Sequence, residues 1–86
     1  MTMKVKILYF ASLREAVGQS AEELELPAGV ATVGALRAHL AARGEAWQAL
    51  AVGRNVRAAL NQKMAAADAA LAAADEVAFF PPVTGG

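Results

Sequence analysis

Two alternating stretches stand near opposite ends of this 86-residue chain, and they limit the folds open to it more than any other feature. In residues 3–10, Met3, Val5, Ile7 and Tyr9 share one face of a strand, and Lys4, Lys6, Leu8 and Phe10 share the other. In residues 76–80, Val77 and Phe79 share one face, with Glu76, Ala78 and Phe80 opposite. Each strand therefore has a predominantly apolar face that must lie against a hydrophobic layer. Pro81-Pro82 cannot donate to a ladder, so the sheet ends there.

The segments between them supply the rest of a small domain. Ser12-Leu13-Arg14-Glu15 has capping-box spacing, which predicts a helix over 12–17 with Ser12 as N-cap and Gly18 as its stop. Glu22 to Leu26 alternates and reads as a strand, followed by turn chemistry at Pro27-Ala28-Gly29. Thr32 caps a predicted helix running to about Arg43, with Val33, Leu36 and Leu40 along one stripe and Gly44 beyond its end. A second short helix is expected over Glu45 to Leu50, anchored by Trp47. From Val56 to Asn61, Val56, Ala58 and Leu60 alternate against Arg57, Ala59 and Asn61. Asn61-Gln62-Lys63 then turns into a short edge strand near Met64. The alanines from Ala65 to Ala74 keep no clear period, and Asp68 is placed to cap a turn of helix.

The order is strand, strand, helix, strand, short strand, strand. It suits an α+β, β-grasp (ubiquitin-like) fold: a mixed sheet packed on one main helix, with the first and last strands as parallel neighbours at its centre. Residues 1–82 are expected to form this domain, and 83–86 a flexible Gly-Gly tail.

Composition removes several function classes. Eight basic and eight acidic residues cancel, so neither nucleic acid nor an anionic membrane is an expected partner. The chain has no cysteine, which removes disulfides, thiolate metal sites and a cysteine nucleophile, and fits a cytoplasmic setting. No apolar run approaches the ~20 residues needed to span a bilayer. His39 is the only histidine and reads as a surface residue; alone it cannot build a multi-histidine metal site. Gly29, Gly34, Gly44 and Gly53 are isolated, so no phosphate-cradling loop is present. Asp75 and Glu76 diverge on a strand and are poor acid–base partners. Neither a bound metal nor a bound cofactor is expected.

What remains is the end of the sequence, Pro82-Val83-Thr84-Gly85-Gly86. Glycine lacks a Cβ, so a Gly-Gly end is thin and conformationally permissive. Such a tail can thread a narrow channel and present a terminal carboxylate to another protein's active site. A carboxylate is a poor electrophile until it gains a leaving group. Adenylation with ATP supplies one, and a sulfur or nitrogen nucleophile can then attack. Leu8, Phe10 and Phe80, with Met64 beside them, are expected to gather on the sheet face away from the helix, next to the root of the tail. Exposed apolar patches of that kind mark partner interfaces. Arg14 and Lys63 are candidates for its polar rim.

The ending from Asp75 to Gly86 resembles the small subunits of molybdopterin synthase, the sulfur carriers of molybdenum-cofactor synthesis. Leu8-Tyr9-Phe10-Ala11, Leu13-Arg14-Glu15 and Leu60-Asn61-Gln62 are similar to other segments of that family. The resemblance implies a β-grasp fold and a subunit that is non-catalytic alone. It implies that an E1-like enzyme adenylates Gly86 and that a sulfur donor converts the adenylate to a thiocarboxylate. The tail, Pro82, Val83, Thr84 and Gly85, would insert into the large synthase subunit within a heterotetramer. There sulfur would pass to a cyclic pyranopterin phosphate to build the dithiolene. Phe10, Met64 and Phe80 fall where the family docks that subunit. Two departures stand out: Ala73-Ala74 replaces the family's usual Asp-Gly, which leaves a turn needing positive φ without its glycine, and Tyr9 fills a position often held by phenylalanine. A sulfur carrier for thiamine thiazole synthesis, a ubiquitin-like modifier of target lysines and a structural domain with an inert tail are the alternatives.

Overall fold

The computed structural model describes residues 3–50 and 56–81. The two end strands meet as their periodicity requires. β1 (Met3–Tyr9) and β5 (Glu76–Phe80) run parallel at the centre, with Ile7 opposite Val77 and Tyr9 opposite Phe79. β2 (Ala21–Leu26) flanks β1 antiparallel, β3 (Arg57–Leu60) flanks β5 antiparallel, and β4 (Lys63–Ala65) closes the far edge. The resulting mixed sheet has the order β2-β1-β5-β3-β4. It packs on α2 (Val33–Ala41), with α1 (Ala11–Val17) and a 3-10 helix over Glu45–Leu50 at its ends. This is the β-grasp arrangement.

The core sits between one sheet face and α2. Val5, Ile7, Tyr9, Val77 and Phe79 meet Val33, Leu36 and Leu40, with Leu13, Leu26, Leu50 and Leu71 closing the margins. Trp47 anchors the 3-10 helix as expected, its ring edge-on to Tyr9 at 5.6 Å between centroids.

The start of α2 shows why the alanine-rich segment is not helical. The first amides of a helix lack intrahelical partners. Here the Val33 and Gly34 amides donate to the carbonyls of Ala69 (3.0 Å) and Ala67 (2.7 Å), and the Ala35 amide donates to Thr32 Oγ1 (3.1 Å). Thr32 is thus the cap that the sequence predicts. Residues 66–75 spend their backbone on this docking and on turns, with a single bridge between Thr32 and Ala70, and Asp68 lies exposed in a turn without capping a helix.

Two other boundaries differ from expectation. Ser12 is not the N-cap of α1: Ala11 takes φ +53, the chain turns immediately after β1, and Phe10 becomes the cap, its carbonyl accepting from the Leu13 amide (3.1 Å). No side chain caps that helix, whereas Gly18 ends it in the left-handed conformation at φ +79, as predicted. α2 ends at Ala41 rather than Arg43, because the Arg43 amide bonds to the Leu40 carbonyl and tightens the last turn. His39 is half-buried on that helix.

Candidate docking face

Ladder register assigns each residue on the uncovered sheet face to a row. Leu8 stands opposite Ala21 on one side and Ala78 on the other; Ala78 stands opposite Ala59, and Ala59 opposite Met64. A row without a polar side chain, Ala21-Leu8-Ala78-Ala59-Met64, therefore crosses all five strands. Opposed residues lie about 5 Å apart at Cβ, so such a row forms one continuous surface. One step toward the C-terminal end of β5, Phe80 is opposite Arg57. Phe10 follows Leu8 by two residues in extended backbone (φ −125, ψ 153), which keeps it on the same face. One step the other way the face is charged: Lys6 lies between Glu23 and Glu76, and Lys4 opposite Glu25.

The face thus has a charged half and an apolar half, and the chain leaves the sheet from the apolar half at Pro81. Met64 at 63% and Phe10 at 45% are the large apolar side chains exposed among the described residues. Leu8, Ala59, Ala78 and Phe80 are half-buried. Phe10 is held to β5 by its amide, which donates to the Phe79 carbonyl (3.1 Å).

Of the residues that the sequence singled out, Phe10 lies one residue past the end of β1 and Phe80 is the last residue of the adjacent β5, where the chain leaves the sheet. Met64 lies on β4, two strands from β5, and joins them through Ala59 and Ala78. Those two alanines, and Arg57, were missed. Alternation places Arg57 and Ala59 opposite Val56, Ala58 and Leu60, but only the β5–β3 pairing shows which strand they border. Lys63 does not belong to the rim: it is opposite Leu60, which shares its face with buried Val77, so it points to the helix side. Arg14 sits exposed on α1, off the sheet. Pro82, Val83, Thr84, Gly85 and Gly86 lie outside the described residues.

Among the described residues, the ionisable groups elsewhere do not form a second site. Glu22 Oε2 accepts from the Tyr9 hydroxyl (3.0 Å), Gln19 Nε2 (2.7 Å) and Arg43 Nη1 (2.9 Å), and Glu22 Oε1 accepts from Arg43 Nη2 (2.9 Å). Arg43 also lies over the Trp47 ring at 4.6 Å. Burial pushes the Tyr9 hydroxyl pKa far above its usual value, and the charge and hydrogen bond of Glu22 push it further. The hydrogen bond to Glu22 raises that of Arg43. With every acceptor engaged, this cluster ties β2 to the end of α2. A cavity of about 160 Å³ opens between α2 and the β3–β4 hairpin, and among the described residues its lining has no acid, histidine or hydroxyl. No group of three or more metal-ligating side chains, and no helix long and apolar enough to cross a membrane, occurs among the described residues.

A profile described as the ThiS family matches residues 7–86. The molybdopterin synthase sulfur carrier subunit of Escherichia coli is 46% identical over 82 residues, 95% of this chain and 99% of the relative. Among solved structures, the small archaeal modifier protein 1 of Haloferax volcanii is 30% identical with a TM-score of 0.75, covering 94% of this chain and 99% of its own. A complex of subunits 1 and 2 of the molybdopterin-converting factor from Helicobacter pylori contains a chain that is 26% identical with a TM-score of 0.63, covering 98% of this chain and 100% of that one.

Proposed function

The chain belongs to the ThiS family, and from that membership we propose that it is the sulfur-carrier subunit of a molybdopterin synthase. The observation that carries this reading is that the family match runs through to Gly86, so the similarity includes the group that would react.

The chemistry is that of an activated acyl end. An E1-like enzyme joins the Gly86 carboxylate to the α-phosphate of ATP and releases pyrophosphate. Sulfide-level sulfur from a donor then attacks the acyl carbon and displaces AMP, leaving a thiocarboxylate. Sulfur passes from it to cyclic pyranopterin monophosphate inside the large synthase subunit, in a heterotetramer in the cytoplasm. ATP belongs to the adenylating enzyme; this chain holds no cofactor of its own.

The sheet face and the sequence of the tail support the steps that fall to this chain. The apolar half of the sheet face gives the large subunit a surface beside Pro81. The residues from Pro82 to Gly85 lead from that surface to the reactive end. Glycine at the last two positions leaves the acyl carbon unhindered.

A ubiquitin-like modifier role is the second reading, favoured by the 30% identity to the archaeal modifier. Intact-mass analysis of protein purified from its own host separates the two. A mass gain equal to exchange of one oxygen for sulfur supports the carrier; isopeptide-linked adducts on other proteins support the modifier. Deleting Gly86 should abolish dithiolene formation in a reconstituted synthase and leave the circular-dichroism melt unchanged. Sulfur transfer by the shortened chain would refute the terminal-carboxylate mechanism.

A further inference from the structure

Arg57 is the one charge in the two rows at the apolar end of the sheet face. Its neighbours there are Phe80 directly opposite, with Ala59 two residues along its own strand and Met64 beyond. It is exposed, and no ion pair or side-chain hydrogen bond ties it to another described residue. The contrast with the other half of the face is informative. There Lys6 lies between Glu23 and Glu76, and Lys4 opposite Glu25, so opposite charges face each other within the chain. Nothing within the sheet does the same for Arg57.

A guanidinium in this position is compatible with a solvated monomer. It is unfavourable beneath an apolar partner, because an unpaired buried charge loses hydration without compensation. A partner that covers Phe80 covers Arg57 as well, because opposed side chains are only about 5 Å apart. The partner must therefore bring a counter-charge to that point. Arginine's planar fork suits a carboxylate held by two parallel hydrogen bonds.

Resting on the carrier reading above, we propose that Arg57 sets partner specificity by pairing with a carboxylate on the large synthase subunit, placed within the apolar patch opposite Phe80. The apolar row supplies contact area that many apolar surfaces could match. The Arg57 pair fixes the register and rejects a surface that lacks the acid, since that surface would have to bury the guanidinium unpaired.

The test is binding of this chain to the large synthase subunit of the same organism, measured by calorimetry and by association kinetics across a salt series. Arg57→Leu should weaken binding at least about thirtyfold, since it strands the partner's carboxylate. Arg57→Glu should weaken it further. Arg57→Lys should fall between wild type and Arg57→Leu. The wild-type association rate should fall with added salt, and Arg57→Leu should lose most of that dependence. One Asp or Glu to Arg exchange on the large subunit should restore binding of Arg57→Glu. Thermal melts of all three variants should match wild type, because the Arg57 side chain is exposed and makes no ion pair or hydrogen bond with another described residue. If Phe80→Ala weakens binding while Arg57→Leu binds as tightly as wild type, the Arg57 pairing is wrong and the docking face stands. If the wild-type chain does not bind the large subunit, the carrier reading and this one fall together.

Discussion

Ala74→Gly should stabilise this protein, although it removes a side chain and adds no contact. Ala74 sits at φ +71, in the left-handed region where a Cβ crowds the backbone at about 1–2 kcal/mol. Glycine would relieve that strain, but it would give the unfolded chain more freedom, offsetting about 0.4–1 kcal/mol. The net gain is about 0.5–1 kcal/mol. For a domain of this size it raises Tm by about 2–8 °C. The turn cannot relax to an easier φ because it is braced from three sides. The Ala74 amide donates to the Lys4 carbonyl (2.8 Å), and the Lys6 amide donates to the Asp75 carbonyl (2.9 Å). Asp75 Oδ2 accepts from the Ala72 amide (2.8 Å), and Asp75 Oδ1 accepts from Asn61 Nδ2 (3.0 Å). Urea and thermal unfolding followed by circular dichroism measure the effect. Ala73→Gly is the control, since Ala73 is not among the positive-φ residues and gains only unfolded-state entropy, so it should lose stability by about 0.4–1 kcal/mol. Opposite signs at adjacent alanines are the signature. If Ala74→Gly destabilises as Ala73→Gly does, the left-handed turn is not the source of strain.

Two further outcomes follow from packing and burial. Gly34→Ala should lower Tm despite alanine's better helix propensity: a Cβ there would stand 3.0 Å from the Ala67 carbonyl oxygen and 3.1 Å from the Ala67 Cβ, so the 66–70 segment must move and the 2.7 Å amide bond of Gly34 to Ala67 lengthens. Overpacking of about 1–3 kcal/mol then exceeds a propensity gain of about 1 kcal/mol, and an unchanged or higher melting temperature would count against that close approach. Stability should also fall above pH 10. The Tyr9 hydroxyl, held protonated by burial and by Glu22, keeps a proton that the unfolded chain releases near its ordinary pKa of about 10. The unfolded state then binds fewer protons than the native state, so the stability is fully present below pH 10 and is lost as pH rises, by up to about 1.4 kcal/mol per unit. Chemical denaturation from pH 8 to 11 should show a steeper loss for wild type than for Tyr9→Phe, and parallel curves would remove Tyr9 from the account.

The sheet was legible because its periodicity is strong. Val5, Ile7 and Tyr9, with Val77 and Phe79, alternate cleanly enough to fix both central strands and their buried face. Thr32 marked the start of α2 through a side chain suited to one amide. Signals that depend on a single backbone torsion were less readable. Ser12-Leu13-Arg14-Glu15 has the spacing of a capping box, yet the left-handed Ala11 starts α1 one residue early and leaves Ser12 inside the helix. The Ala65–Ala74 stretch could not be read from composition, because alanine's methyl group does not announce where its amides and carbonyls go. Several of those groups answer to the first amides of α2, a tertiary demand. The β3–β4 turn is the mixed case. Asn61 and Gln62 take φ +51 and +70, as a two-residue hairpin of this kind requires, and only asparagine is suited to that region. Asn61 also ties the turn to β5, its side-chain oxygen accepting from the Glu76 amide (3.0 Å). The same limit applied to the docking face. Single-strand alternation placed Phe10, Phe80 and Met64 outward, but the continuous row through Ala59 and Ala78 exists only once β5 lies between β1 and β3.

That central position of β5 also constrains where the chemistry takes place. A chain leaving from an edge strand could swing clear of the sheet and serve a partner docked elsewhere. Here it leaves from the middle of the sheet, between the end of β1 and the start of β3, and beside Phe10, Phe80 and Arg57. Gly86 lies five residues beyond Pro81, a length that fully extended spans at most about 18 Å. On the carrier reading, the active site that Gly86 serves lies within that distance of the apolar half of the face. A partner that docks on this face must hold its reacting groups close to its own docking surface. Lengthening the tail would relax that constraint, but it would also lower the effective concentration of the reactive end at the site. On the carrier reading, a short reach and a central exit make docking and delivery one event, so substitutions in the apolar row or at Arg57 should change the rate of sulfur transfer as well as the affinity.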